Sequence, residues 1–286
     1  MRRRSIWLIL IVFLTLVGIG AGAVLSMPAV RHLISGLWNL PDQLPALSGN
    51  SQVHYQPGAE EYADKVAALL PDAIAQIETV HGRRFAHPVT VGVYETADAF
   101  AVANGLGSAV PVGVTFAGRV NLSPKLFWQQ RQRLRGILTH ELSHAHIEGW
   151  IGAMAYVRLP NWFKEGLAVM VSAGGGAEAV TKEEAWAAIR RGEKIVIDEA
   201  GSFQNLTEVR LETAPLNRPS WYPVVLAYRQ AGLFVNYLRE SDGPAFDRMM
   251  NAILDSRTFA EAVSVGYRDD VRSLWQKFNE SSNGKS

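Results

Sequence analysis

The chain contains no cysteine. That excludes a disulfide frame and any zinc site built on thiolates. The absence is compatible with an oxidising compartment but does not demonstrate one. An excess of charge is missing too: 28 basic residues stand against 27 acidic ones, a net of +1. So balanced a chain has no general field for attracting nucleic acid, and no nucleic-acid partner is expected. No internal repeat and no low-complexity tract is found.

What is present suffices for a sizeable core: 286 residues, 48% of them hydrophobic, enough for one or two domains. Arg2, Arg3 and Arg4 precede an uncharged run from Ser5 to Met27. About 20 apolar residues span a bilayer as a helix. The arginines should stay cytoplasmic, which sends the rest of the chain across. Residues 1–27 are therefore expected to be a signal anchor, one transmembrane helix holding a single-pass protein in the cell membrane. Cleavage and secretion stay open, because Ala21-Gly22-Ala23 offers a small-x-small site. Residues 28–51, punctuated by Pro28, Pro41, Pro45, Gly36 and Gly49, read as a linker. Leu33, Ile34, Leu37, Trp38 and Leu40 are too apolar for a free one. They suit a short helix on the membrane surface or a packed segment equally well.

Strands are expected over Gln52–Gln56 and Pro88–Tyr94, and a hairpin over Val110–Leu122 turning at Ala117-Gly118. Helical spacing runs from Gly58 to His81, where Pro71 should kink or divide the helix. Thr96 can cap a short helix, and Ser123-Pro124 can open another. Thr181-Lys182-Glu183-Glu184 resembles a capping box. Gly174-Gly175-Gly176 reads as a helix end and Gly149–Pro160 as a loop. Helices are expected over about 219–240, 244–255, 258–265 and 269–280.

The most informative stretch is His140-Glu141-Leu142-Ser143-His144. At about 100° per residue, positions four apart share a helix face, so both imidazoles can meet one Zn²⁺. Glu141 falls on the same side, within reach of a water on that metal. Two ligands do not hold a metal. The best third candidate is Glu165, in Asn161-Trp162-Phe163-Lys164-Glu165-Gly166-Leu167-Ala168, with 20 residues between it and His144. The longer H-E-x-x-H-x-x-G-x-x-H pattern fails, since Ile147 and Trp150 stand where glycine and histidine are required. His146 lies about 200° around the helix from His144 and reads as a supporting or surface histidine. Glu148 shares the face of His144 but sits a full turn beyond it, and reads as a solvated or supporting carboxylate.

The pentapeptide joined to W-F-x-E-G-L-A resembles the gluzincin metallopeptidases, in particular the bacterial peptidase MA-like group. The resemblance covers roughly residues 52–280 and is sharpest over 137–171. It implies a zinc-dependent peptidase, with His140, His144 and Glu165 holding zinc and Glu141 as general base. A tetrahedral intermediate also needs a donor for its oxyanion. The resemblance carries that role to Tyr228 in Tyr228-Arg229-Gln230, with Tyr222 the next choice. A G-x-M-E-N segment, which in the aminopeptidases grips a free amino terminus, is absent, so an endopeptidase is expected.

The expected fold is α+β: a small mixed β-sheet lobe, the HExxH helix, then a mainly helical lobe, preceded by one N-terminal transmembrane helix. Residues 52–283 form the expected catalytic domain. It would hydrolyse peptide or protein substrates through a zinc-activated water, outside the cytoplasm. Two other classes stay open: a catalytically idle envelope module that binds peptides, and a zinc hydrolase of a non-peptide amide.

Overall fold

A computed structural model describes residues 26–201 and 208–281. The chain enters through α1 (Pro28–Trp38) and a short 3-10 turn at Pro41–Gln43. Then come β1 (Ala46–Leu47), β2 (Asn50–Tyr55), α2 (Glu60–His81), β3 (Val91–Val93) and α3 (Ala97–Ala103). The hairpin β4 (Gly113–Phe116) and β5 (Arg119–Leu122) leads into α4 (Lys125–Trp128), a 3-10 turn at Arg131–Arg133, and α5 (Leu134–Ile151). The remainder is helical: α6 (Ala153–Arg158), α7 (Asn161–Val171), α8 (Lys182–Arg190), α9 (Tyr222–Ser241), α10 (Gly243–Leu254), α11 (Phe259–Tyr267) and α12 (Val271–Ser281).

The strands form one five-stranded sheet in the order β1-β2-β3-β5-β4. β2 and β5 both pair with β3 in parallel, while β1 and β4 are antiparallel edges. A parallel pair needs a crossover, and α2 supplies it between β2 and β3. Helices and strands are therefore interleaved in the sheet half, which corrects the expected α+β class to a mixed α/β fold, with twelve helices and five strands among the described residues. The expected transmembrane helix is not among these elements. Among the described residues no helix is long and apolar enough to cross a membrane. Residues 1–25 of the expected span lie outside the described residues.

Pro71 sits inside α2 without dividing it. It is on the exposed side, where water can take up the freed carbonyl. The stretch read as a linker holds α1, which lays Gly36 against Phe116 and Gly105.

Among the described residues two smaller clusters and two large hydrophobic cores result. One joins the sheet to α2 and α5 through Val53, Val66, Ile77, Val91, Leu122, Leu138 and Leu142. The other joins α7 to α9–α12 through Trp162, Phe163, Leu167, Phe234, Phe246 and Phe278. α5 lies between them. It is buried on every side from Ile137 to Ile147, not on one stripe alone. Its polar residues in that span must find partners inside the protein.

Candidate metal centre

His140 and His144 come from α5 and Glu165 from α7. α7 is fixed by α9, which crosses it through Gly166 and Gly232; a Cβ on Gly166 would collide with the Ala231 backbone. That crossing also brings Tyr228 of α9 to the same place. His140 Nε2 and His144 Nε2 are 3.1 Å apart. Glu165 Oε2 lies 3.2 Å from the first and 3.6 Å from the second. Four ligands about 2.0–2.1 Å from zinc stand about 3.3 Å from one another in a tetrahedron. The three atoms thus form one face of such a tetrahedron, and they are buried close enough together to hold a metal ion.

Hydrogen bonding sharpens the fit. His140 Nδ1 is 2.9 Å from the Gly175 carbonyl, which can only accept, so Nδ1–H donates. Nε2 then carries a bare lone pair. In the neutral ring it faces the Glu165 carboxylate, another acceptor, so either a proton or a metal ion must lie between the two. Gly175 reaches α5 because it lacks a side chain: a Cβ there would collide with the Gly136 backbone. The glycine run, read as a helix end, thus also orients a histidine.

Charge follows the same logic. Burial works against protonated His140, but the Glu165 carboxylate outweighs it, helped by Glu141 and the Gly175 carbonyl, and raises the pKa. Burial would raise the Glu165 carboxyl; the His144 and His140 rings instead hold it well below the usual carboxylate range. Glu141 is buried beside the triad, and the one hydroxyl hydrogen of Thr115 in β4 is shared between its Oε2 at 2.9 Å and its carbonyl at 2.7 Å.

No protein-family model matches this sequence. A comparison with curated proteins also finds no match. The site therefore stands on its own chemistry.

Tyr228 stacks on His140, ring centres 6.4 Å apart and nearly parallel at 11°. Its hydroxyl hydrogen-bonds the Glu165 carboxylate. Tyr222, the second choice, packs in a separate core patch with Val180 and Leu226. Gln230 also faces inward, donating to the Glu193 carbonyl at 2.7 Å and accepting from the Ile195 N–H at 3.1 Å. It pins the strand-like segment after α8.

Sequence reasoning missed Tyr156. The segment read as a loop contains α6, and the Tyr156 hydroxyl lies 2.8 Å from His144 Nδ1. In the tautomer whose Nδ1–H donates to that hydroxyl, His144 Nε2 also turns a lone pair toward Glu165. Lys164 is buried with its ammonium 4.7 Å from the Tyr156 ring centre. Burial lowers its pKa against the pull of Glu165 and Glu148. Burial and the neighbouring carboxylates, Glu165 foremost, hold both tyrosine hydroxyls far above the usual range, so both stay protonated. His146 is neither a ligand nor a surface group. It is fully buried behind the helix, against His81 of α2.

Proposed function

We propose that this protein is a zinc-dependent metallopeptidase of the gluzincin type, acting as an endopeptidase. One observation carries the reading: His140 Nε2, His144 Nε2 and Glu165 Oε2 converge within 3.6 Å of one another, with His140 Nδ1–H donating to Gly175 on the far side of its ring. His140, His144 and Glu165 would hold the metal. Two imidazoles and one carboxylate are a catalytic zinc set that leaves a position open. When bound, the metal would supply a Lewis acid and a water acidified toward neutral pH.

The chain's own groups would do the rest. Glu141 would take the proton of the attacking water and pass it to the departing amine. Its carboxylate is fixed for this by the Thr115 hydroxyl. Tyr228, kept protonated, would donate to the oxygen that gains charge in the transition state. Tyr156 would orient His144. The outer edge of β4, the last strand of the sheet, lies beside Glu141 and offers backbone groups to an extended peptide. Export of this domain rests on the sequence of residues 1–27 alone, and fractionation of the full-length protein tests it.

The test of the activity uses the full-length chain loaded with zinc and a mixed peptide library. Cleavage should require the metal and stop with chelator. Glu141→Gln should keep its zinc and lose about 10²–10⁴-fold in kcat. Wild-type protein that cleaves nothing, yet binds peptides as well as Glu141→Gln does, would overturn the enzymatic reading in favour of a binding module.

A further inference from the structure

A cavity of about 420 Å³ opens among the C-terminal half of α5, the β4–β5 turn and the 85–90 segment that leads into β3. Ala145 and Glu148 of α5, Ala117, Gly118 and Arg119 of the turn, and Ala153 at the start of α6 line it. β4 runs alongside α5. A Cβ on Gly113 would touch Ile137 and Glu141. Thr115 donates to Glu141, and the Gly118 backbone N–H favours the charged form of the Glu148 carboxyl. Along α5 the order is Glu141, His144, Glu148, and Glu148 meets the β4–β5 turn at the cavity wall. Glu148 lies four residues beyond His144, about 6 Å along the helix.

The charges around this cavity do not balance. Four ionisable groups border it: Asp42, His87, Arg119 and Glu148. Arg119 is already engaged. Its Nε donates to Asp42 at 2.8 Å and its Nη1 to the Ala117 carbonyl at 2.8 Å. His87 is exposed at the rim. Glu148 forms no ion pair with a basic side chain among the described residues, as Arg119 binds Asp42 and Lys164 stacks on Tyr156. Burial raises the Glu148 carboxyl against the pull of the Gly118 N–H, His144, Arg119 and Lys164. A partly desolvated carboxylate without a counter-ion favours the entry of a cation.

We propose that this cavity is a specificity pocket for a cationic side chain, lysine or arginine, of the peptide substrate, with Glu148 as the residue that recognises its charge. The proposal rests on the peptidase reading above. Side chains on one face of an extended peptide recur every two residues, about 6.8 Å apart. That spacing matches the step from His144 to Glu148 and places the cationic residue about two positions from the scissile bond. A strand added antiparallel to β4 runs from the β4–β5 turn toward Gly113. The cationic residue then lies on the amino-terminal side of the scissile bond.

The test compares peptides that differ only in carrying lysine, norleucine or glutamate at each position around the cleaved bond. Zinc-loaded, full-length wild type, Glu148→Gln and Glu148→Lys are assayed side by side. Wild type should favour lysine over norleucine by about tenfold or more in kcat/KM, the worth of one charge-assisted bond. That ratio should fall toward one in Glu148→Gln, and Glu148→Lys should turn the preference toward glutamate. A second arm needs no turnover: polarisation of labelled lysine and norleucine peptides on Glu141→Gln, with and without Glu148→Gln. A chain that cleaves no peptide but binds lysine peptides through Glu148 overturns the peptidase reading and leaves the pocket standing. Equal binding of lysine and norleucine peptides overturns the pocket, as does a lysine preference that survives Glu148→Gln. Loss of zinc in Glu148→Gln would make Glu148 a metal ligand and overturn it as well.

Discussion

α5 carries buried histidines on two opposite sides, and the pairs they form look alike at first. In front, His140 and His144 are 3.1 Å apart through their Nε2 atoms. Behind, His81 and His146 are 3.0 Å apart through their Nδ1 atoms. The hydrogen bonds distinguish them. His146 Nε2 faces the Arg83 carbonyl at 2.9 Å and must donate, so its Nδ1 accepts from His81 Nδ1–H. His81 Nε2 then accepts from the Ser143 hydroxyl at 3.3 Å. Every nitrogen behind the helix is satisfied with both rings neutral. In front, the outward nitrogens are satisfied and the inward ones converge on a carboxylate. A metal site differs from a structural histidine pair in where its spare lone pairs point, not in distance or burial.

The largest effect expected from that contrast is on metal content. Glu165→Ala or His140→Ala should take the protein from about one zinc per chain to nearly none, read by elemental analysis. His146→Ala should keep the zinc and cost stability instead, about 1–3 kcal/mol from the unpaired His81 N–H alone. Zinc lost on changing His146 but retained without Glu165 would reverse the assignment of the two sides.

Next come the two tyrosines at the front. Tyr228→Phe keeps the ring against His140 and removes one hydroxyl. It should lower kcat by about 10²–10³-fold with little change in KM or zinc content. Tyr156→Phe removes the partner of His144 Nδ1 and should weaken zinc about 10–100-fold, measured by competition with a chelator. If the kcat loss instead falls on Tyr156→Phe, the two hydroxyls exchange roles.

The front of the site was legible because its logic is local. A spacing of four on a helix places His140 and His144 together whatever surrounds them. Glu165 was found by a motif and by elimination. The back pair was not legible, since His81 lies 65 residues from His146 and only the packing of α2 against α5 joins them. Tyr156 was hidden because a six-residue helix shows too little periodicity to stand out from a loop. Which strands pair in parallel was not legible, because short strands such as Val91–Val93 do not reveal the direction of their neighbours.

The smallest effect is on pH dependence, where the two pairs oppose each other. Burial, with His146 and His144 nearby, holds the His81 pKa well below the ordinary value. The unfolded chain therefore binds this proton first, and the back pair loses stability as pH falls through about 6.5. The His140 pKa lies above the ordinary value. Its contribution in metal-free protein is present below about 6.5 and fades as pH rises through its folded value. His81→Gln removes the first trend. Metal-free His81→Gln should therefore lose less stability than wild type between about pH 7 and pH 5, measured by urea unfolding. An equal loss would show that His81 titrates normally.

The ligands also come from different cores. His140 and His144 sit on the helix that completes the sheet core, and Glu165 sits on a helix of the other. A metal held by all three is a cross-link, closing a ring of chain from His144 to Glu165 with 20 residues between them. In the chain-entropy picture of disulfides, closing a ring of that size withdraws about 3 kcal/mol of freedom from the unfolded state. This sequence, with no cysteine to form such a bond, would obtain the same constraint from its metal. Affinity for the ion and cohesion of the two cores would then be one free energy, and whatever strips the ion would also loosen the walls of the cleft.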